Sequence, residues 1–369
     1  MRNILISTAG TSLLGNIERD GEGDLKKFKA AENIKGVCAE LLKYDQTSRI
    51  CGAEINTVAS MVSKQMLAGR FYHLILVSDT DDGRLVGRVL EQFFLSKNAG
   101  IGFEKAEYRV VEGLNSEDAA RFQKQGLKNL VRIIGETVRA YGSEQILINA
   151  TGGYKAQISF AGMIGQALDI PVCYMFERFA EVIELPPQPV SLDLGFWIEN
   201  AAFFYELDRT LMSDGPLELM DEKFSMLVDE VDDNGVYLYG LTAAGQLFHE
   251  TFRHRFRRRQ KELLPGDSDI DKSRKKIKYE DSNAGKHKGL SAWLEKLKDI
   301  SFVNSIYTFY YNPDLNQQNT FNPDQKNQVD TIEGCFSNNK GTTRFILRTT
   351  AGTASERDAA IALLNETFL

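Results

Sequence analysis

Over the first 185 or so residues, short β-branched runs alternate with longer stretches whose apolar residues recur at helical spacing. The runs Asn3–Ser7, His73–Ser78, Glu107–Val111, Gln145–Asn149 and Val172–Phe176 read as strands, with Val182–Glu184 returning as a hairpin on the last. Between them, Asn33–Tyr44, Glu54–Leu67, Arg84–Leu95, Asp118–Ala140 and Lys155–Leu168 carry the amphipathic helical pattern. Up to that hairpin, strand candidates thus follow one another with a helical stretch between each pair. Their alternation with helices therefore predicts an α/β domain with a mostly parallel sheet between two helical layers, a Rossmann-like arrangement.

The pattern changes at Leu185–Pro189, where prolines at 186, 187 and 189 can continue neither a central strand nor a helix. Three parts are expected: a first domain over 1–190, a helical, winged-helix-like linker over 191–240, and a small α+β domain over 241–369. Leu194–Leu211 reads as one helix, followed by the acidic segment Asp214–Asp233. The strand at Val236–Gly240 and the helix from about Thr242 suit either the end of a winged helix or the opening of an α+β domain. From Phe302 onward three antiparallel strands are expected, FVNSIYTFYYNP, QVDTIEG and TTRFILRTT. A final helix, Ser355–Phe368, would be capped by Thr353 or Ser355, and the Asn/Gln/Asp-rich stretch Asn312–Gln328 reads as a mobile loop.

With 369 residues, 43% hydrophobic and 26% charged, the chain has the composition of a globular protein of more than one domain. Its net charge of −7 argues against a surface that binds nucleic acid all over. That average hides an asymmetry, because Thr251–Leu290 holds thirteen basic residues against six acidic ones. The basic segment, including RHRFRRRQK, marks a site for an anionic partner, with Arg257, Arg258, Lys275, Lys276 and Lys278 as candidate RNA contacts. Cys38, Cys51, Cys173 and Cys335 form no C-x-x-C pair, so disulfides and structural zinc are not expected. No export signal or membrane span is read, which makes the cytoplasm the expected compartment.

Two loops on the expected strand ends carry candidate chemistry. Ser7-Thr8-Ala9-Gly10-Thr11-Ser12 follows the first strand, and Asn149-Ala150-Thr151-Gly152-Gly153-Tyr154-Lys155 leads from a later strand into a helix. In an open α/β sheet both belong on the carboxyl rim, where glycines let backbone N–H groups approach a phosphate at a helix N-terminus. Ala9, Gly10, Thr11, Ser12, Asn149, Thr151, Gly152, Gly153, Tyr154 and Lys155 are the candidate ligand-binding residues. Neither loop is a Walker A sequence or G-x-G-x-x-G.

The S-T-x-G-T-S-L-L-x-N start, the A-E-I-N segment at Ala53–Asn56 and I-N-A-T-G-G-Y-K before a helix resemble the CARF domains of CRISPR-associated proteins. The resemblance covers roughly residues 1–185. It implies a homodimer that holds a cyclic oligoadenylate, most often cyclic tetra-adenylate, as an allosteric ligand with no cofactor or metal. In some members of that family the residues matching Ser12 and Lys155 also cleave the ligand slowly.

Such domains usually carry an effector. No arginine lies five to seven positions before His73, His249, His254 or His287, which excludes the R-x(4–6)-H of HEPN ribonucleases, and no glutamate has lysine two positions later, which disfavours a metal-dependent E-x-K nuclease. Metal-free RNA cleavage by the substrate's own 2′-hydroxyl remains, with Lys, Arg and Tyr side chains as candidates. GKHKGL at Gly285–Leu290, the following strands and FILRTTAGTASERDAAIALL resemble, over about 235–369, the RelE family of ribosome-dependent mRNA interferases. The resemblance implies catalytic roles for Lys286, Lys288, Arg344, Arg348 and Arg357, with mRNA and the ribosome as partners. The rival reading is a transcription regulator of CARF and winged-helix parts, or a ring nuclease that only degrades the ligand. Tyr307, Tyr310 and Tyr311 read as packing or strand-face residues rather than catalysts.

Overall fold

The computed structural model describes residues 2–176, 181–185, 194–212, 224, 227–233, 236–279 and 287–368. The chain divides into two compact units. Met1–Val190, Glu222–Leu227 and Thr242–His254 form the first, and Ser191–Asp221, Val228–Leu241 and Arg255–Leu369 the second.

The first unit is built on a six-stranded sheet of β1 (Ile4–Thr8), β2 (Tyr72–Ser78), β3 (Lys105–Val111), β4 (Ile146–Asn149), β5 (Val172–Phe176) and β6 (Glu181–Leu185). The spatial order is β3-β2-β1-β4-β5-β6, and every pair is parallel except β5 with β6. Each residue of β1, β2 and β4 is buried, as their continuous apolar runs require. Because side chains alternate along a strand, Leu5, Ile75 and Leu147 pack into one layer with the helices Gly52–Ser63 and Asp81–Phe94. Ile4, Ile6, Leu74 and Ile148 pack into the other with Leu127–Tyr141 and Lys155–Ala167. The expected mixed α/β architecture with a parallel-rich sheet is what the molecule has.

Helix starts are set by caps that apolar periodicity does not register. Asn33 Oδ1 accepts from the Gly36 N–H at 3.0 Å, and Thr80 Oγ1 accepts from the Gly83 N–H at 3.0 Å. The second helix therefore begins at Asp81 rather than Arg84, with Asp81 and Asp82 in its electropositive first turn. Two short helices, Ser12–Asp20 and Leu25–Ala30, were not anticipated.

The second unit holds a hairpin, β7 (Val228–Asp233) with β8 (Val236–Leu241), and a five-stranded sheet in the order β11-β12-β13-β10-β9. Its strands are β9 (Lys276–Tyr279), β10 (Val303–Asn312), β11 (Thr320–Pro323), β12 (Thr331–Asn338) and β13 (Gly341–Thr349). β9 runs parallel to β10, and the remaining neighbours are antiparallel. One face of the sheet is covered, with Phe321, Ile332, Phe345 and Leu347 packing against Leu290 and Leu294 of the helix Leu290–Lys298 and Ile361 and Leu364 of the helix Ala354–Phe368.

Two expectations are corrected here, and the choice between two caps for the last helix is settled. The stretch Leu194–Leu211 forms two helices, Leu194–Glu199 and Ala201–Arg209, broken at Asn200. Thr353 caps the last helix, its Oγ1 accepting from the Glu356 N–H at 3.2 Å. The polar stretch Asn312–Gln328 is not simply a loop, because it contains strand β11, held at both backbone groups of Phe321 by buried Asn365: its Oδ1 accepts from the Phe321 N–H at 3.2 Å and its Nδ2 donates to the carbonyl at 2.9 Å. An Asn365→Leu change leaves both groups of Phe321 without these partners. Urea denaturation should show the second unit destabilised by roughly 2–6 kcal/mol, at 1–3 kcal/mol for each of the two stranded polar groups.

Candidate functional site

The chain runs from β1 to β2 and β3 on one side and returns to β4 on the other, so the carboxyl ends of β1 and β4 flank the point where the strand order reverses. There the two glycine-bearing loops meet backbone to backbone. A Cβ on Gly10 would lie 2.9 Å from the Gly153 nitrogen, and one on Gly152 would lie 2.9 Å from the Gly10 nitrogen and 3.0 Å from the Thr8 carbonyl. Gly153 has φ 104°, a conformation that side-chain-bearing residues avoid. Thr8 Oγ1 donates to the Gly152 carbonyl at 2.6 Å and fastens one loop to the other.

The expected site residues divide by exposure. Thr11, Ser12 and Lys155 are exposed, and Lys155 opens the helix Lys155–Ala167 directly after Tyr154, without an ion-pair partner among the described residues. Ala9, Gly10, Thr11, Gly153 and Tyr154 line a cleft of about 520 Å³ that extends over Ser78, Thr80–Asp82 and Ser116. Asn149 and Thr151 serve the loop itself. Asn149 is 1% exposed, donates to Ser7 Oγ at 3.3 Å and accepts from the Thr151 N–H at 3.2 Å, while Thr151 Oγ1 accepts from the Met175 N–H at 3.0 Å.

Glu54 was missed, although the A-E-I-N segment containing it had been singled out. Its side chain is buried beneath the first loop, where Oε1 accepts from the Gly10 N–H at 3.2 Å and Oε2 from Ser12 Oγ at 2.8 Å. Burial pushes the carboxyl above its ordinary range, and the donated hydrogen bonds pull against that shift. Gly52, at φ 72°, leaves the space: a Cβ there would sit 2.7 Å from Glu54 Oε2.

His73 lies near the amino end of β2, opposite Leu5 of β1. Its Nε2 is 2.8 Å from Ser7 Oγ, and its ring packs on Phe94 and Phe103 with centroids 4.6 and 4.8 Å away. Burial holds the imidazole down at about 3, so it stays neutral. A folded-state value below the unfolded one near 6.5 gives stability that is complete above pH 6.5 and is lost as pH falls toward 3. Urea denaturation of the first unit should show about 2 kcal/mol less stability at pH 5 than at pH 7.5 from this group, at about 1.4 kcal/mol per pH unit. Glu54, shifted upward, contributes with the opposite sign. A His73→Leu variant should lose the His73 part of the slope, and an unchanged slope would remove the assignment.

In the second unit the uncovered face of the sheet gathers basic and phenolic side chains. Residues opposed across a ladder share a face. Arg348 opposes Ser305, Ile346 opposes Tyr307 and Arg344 opposes Tyr310, while Lys276 and Lys278 oppose Ser305 and Tyr307 from β9. The Arg344 guanidinium stands 5.8 Å from the Tyr310 ring centroid and pairs with Glu333 at 3.6 Å, and Arg348 faces Asp330 at 3.9 Å. Lys276, Lys278 and Arg348 are exposed. Of the three tyrosines expected to pack or to lie on a strand face, Tyr307 and Tyr310 lie on this face, whereas Tyr311 packs beside His287 at 5.3 Å between centroids.

The other expected residues of this unit are not placed on that face. Arg357 is 5% exposed, with Nε donating to Asp358 at 2.9 Å and Nη1 to Asn327 Oδ1 at 2.5 Å, so its guanidinium is occupied in holding the last helix to the loop before β12. Lys275 is 7% exposed, and its Nζ donates to the carbonyls of Ile300 at 2.7 Å and Ser301 at 3.3 Å, which takes it out of the surface set. Lys288 is exposed, its carbonyl accepting from Asn338 Nδ2 at 2.9 Å at the β12–β13 turn. Arg257 is paired with Glu366, and Arg258 is exposed on the helix Ala243–Leu263. Lys286 lies outside the described residues.

Among the described residues, no helix is long and apolar enough to cross a membrane, and no group of three or more His, Cys, Asp and Glu side chains is placed to hold a metal ion. A search of curated proteins finds no match to the chain. Among solved structures, Can2 from Sulfobacillus thermosulfidooxidans in complex with cyclic tetra-adenylate matches at 11% identity over 71% of this chain and 67% of that one, with a TM-score of 0.25. Protein VC1899 from Vibrio cholerae matches at 10% identity over 94% of this chain and 77% of that one, with a TM-score of 0.28. Superpositions this loose bear on neither fold nor activity. Residues 49–188, which carry β2 to β6 and the loop Asn149–Lys155, match the sequence model of a family described as CRISPR-associated protein (Cas_APE2256).

Proposed function

We propose that the chain is a CRISPR-associated ribonuclease switched on by a cyclic oligoadenylate, cyclic tetra-adenylate being the ligand of choice. In this reading two chains pair and present their rims to one ring of phosphates. A two-fold dimer suits a ligand of even symmetry, and each rim offers loop N–H groups and Lys155 at a helix N-terminus. The observation that carries the ligand site is the backbone-to-backbone meeting of Gly10 with Gly152–Gly153 where the strand order reverses. The family match over 49–188 supports the CRISPR context.

The effector is the uncovered sheet face of the second unit, and its target is mRNA on the ribosome. Cleavage by the substrate's 2′-hydroxyl needs a base for that proton, cations for the charge that builds on phosphorus, and an acid for the departing 5′-oxygen. Lys276, Lys278, Arg344 and Arg348 supply cations there, with Tyr307 and Tyr310 as hydroxyl groups beside them. Ligand can switch this activity only by binding the active arrangement more tightly than the inactive one.

Isothermal titration of the full chain with cyclic tetra-adenylate tests the first half of the reading. One ligand per two chains is expected. Absence of binding, or one ligand per chain, would contradict it.

A further inference from the structure

A second cavity, of about 550 Å³, lies wholly within the second unit and has no part in the ligand site. It is bounded by the β12–β13 surface where Glu333 and Arg344 stand, by the end of the helix Ala201–Arg209 with Glu206, and by the stretch before and through β11 with Gln317, Gln318 and Asn322. Its volume falls in the range of small-ligand sites. The lining is polar and carries both signs of charge at fixed positions. Arg344 Nη2 donates to Gln317 Oε1 at 3.3 Å, and Nη1 is 3.6 Å from Glu333 Oε1. The second separation is longer than a hydrogen bond, so the carboxylate keeps free lone pairs and the guanidinium keeps free N–H groups while both stay oriented.

A carboxylate beside a guanidinium presents adjacent acceptors and donors along one edge. Guanine presents the complement: the N1–H and 2-amino donors next to the O6 and N7 acceptors. Adenine places an amino donor where guanine has O6 and carries no 2-amino group, so it would set donor against donor at Arg344 and leave Glu333 unmatched. We infer that this cavity receives a guanine base of the RNA substrate, with Glu333 accepting from N1–H and the 2-amino group and Arg344 donating to O6. The inference rests on the ribonuclease reading and deepens it. Arg344 belongs both to the cavity and to the basic face, so a base held in the cavity lies beside the cations that would meet its phosphate. The amides of Gln318 and Asn322 line the same space. Burial pushes the Glu206 carboxyl up, and that of Glu333 likewise, with Arg344 pulling Glu333 back.

The test is equilibrium binding of GMP, AMP and inosine monophosphate to the full chain, with cyclic tetra-adenylate present throughout so that the first unit's rim is occupied. GMP should bind about tenfold or more tighter than AMP, the discrimination of one good bidentate base contact. Inosine monophosphate differs from GMP only in lacking the 2-amino group and should bind more weakly, which tests the Glu333 contact without altering the protein. Glu333→Gln should abolish the preference for GMP. Equal affinities for GMP and AMP, or no binding of either, would overturn the inference. Sequencing of RNA cleavage ends separates it from the reading beneath it. Cutting with no preference for guanine removes the cavity's role and leaves the ribonuclease, whereas selective GMP binding without any RNA cleavage removes the ribonuclease and leaves the cavity.

Discussion

Replacing Lys155 by alanine is expected to weaken the binding of cyclic tetra-adenylate by about one to two orders of magnitude while leaving the fold intact. The side chain is exposed, carries no ion pair within the described residues, and stands at the first position of a helix whose N-terminus already favours negative charge. A charge-assisted contact to phosphate is worth about 1.5–3 kcal/mol, which is about ten- to 150-fold in affinity. Titration calorimetry reads the change directly, and thermal unfolding serves as the control for structure. Substitution of Gly152 should be as damaging to binding by another route. Its added Cβ would press on the Gly10 nitrogen and the Thr8 carbonyl, forcing apart the two loops that form the rim. Unaltered affinity in Lys155→Ala would remove the phosphate from this end of the sheet.

The second large effect is expected on the other unit. Arg348→Ala, or Lys276→Ala combined with Lys278→Ala, should lower ligand-stimulated RNA cleavage by about 10²- to 10³-fold, the usual loss when a group aimed at developing charge is deleted. Binding of cyclic tetra-adenylate should not change, because these side chains belong to a different compact unit. Arg357→Ala should behave otherwise. Its removal leaves Asp358 buried without its cation and Asn327 without its donor, so the expected loss is in stability rather than in rate at a temperature where the variant is folded. Single-turnover cleavage together with urea denaturation distinguishes the two kinds of variant. If Arg348→Ala and the lysine pair cleave at the wild-type rate, the uncovered sheet face is not where RNA is cut.

The contrast between Arg348 and Arg357 shows where sequence stops being informative. Both sit near the end of the chain in similar company, and neither burial nor partner can be read from spacing. Arg348 points away from the core because it alternates with Leu347 and Thr349, a pattern visible in advance. Arg357 is buried because a distant loop, through Asn327, comes back to meet it. The parallel sheet was legible for a physical reason, since β1, β2 and β4 are buried at every position and are therefore mostly apolar. β11 was not, because it is a four-residue edge strand in a polar stretch that owes its place to Asn365, 44 positions away from Phe321. β9 was hidden in the lysine-rich segment, where only Ile277 faces the core and the charge pattern dominates.

The proposed ligand rim was legible in the same uneven way. Glycines and a lysine in a strand-to-helix loop suggest an approach to an anion, so Gly10, Gly152, Gly153 and Lys155 stood out. Glu54 did not, since a carboxylate beneath a loop read as anion-binding runs against the charge expected there. Only its hydrogen bonds to Gly10 and Ser12 show that it braces the loop from inside. Asn149 and Thr151 were read as ligand donors, whereas their side chains are committed to Ser7, the loop backbone and Met175. The acidic start of the helix Asp81–Phe94, which shares the cleft with Gly10 and Gly153, was invisible as part of a site because it follows a different strand.

The central claim, that a cyclic nucleotide held by the first unit controls RNA cutting by the second, is tested most directly by adding the full chain to translating ribosomes with a defined mRNA, with and without saturating cyclic tetra-adenylate. The account predicts intact mRNA without the ligand and cut mRNA with it, at 5′-hydroxyl ends left by 2′-hydroxyl attack. Intact mRNA in the presence of bound ligand, or equal cutting with and without it, would contradict the account.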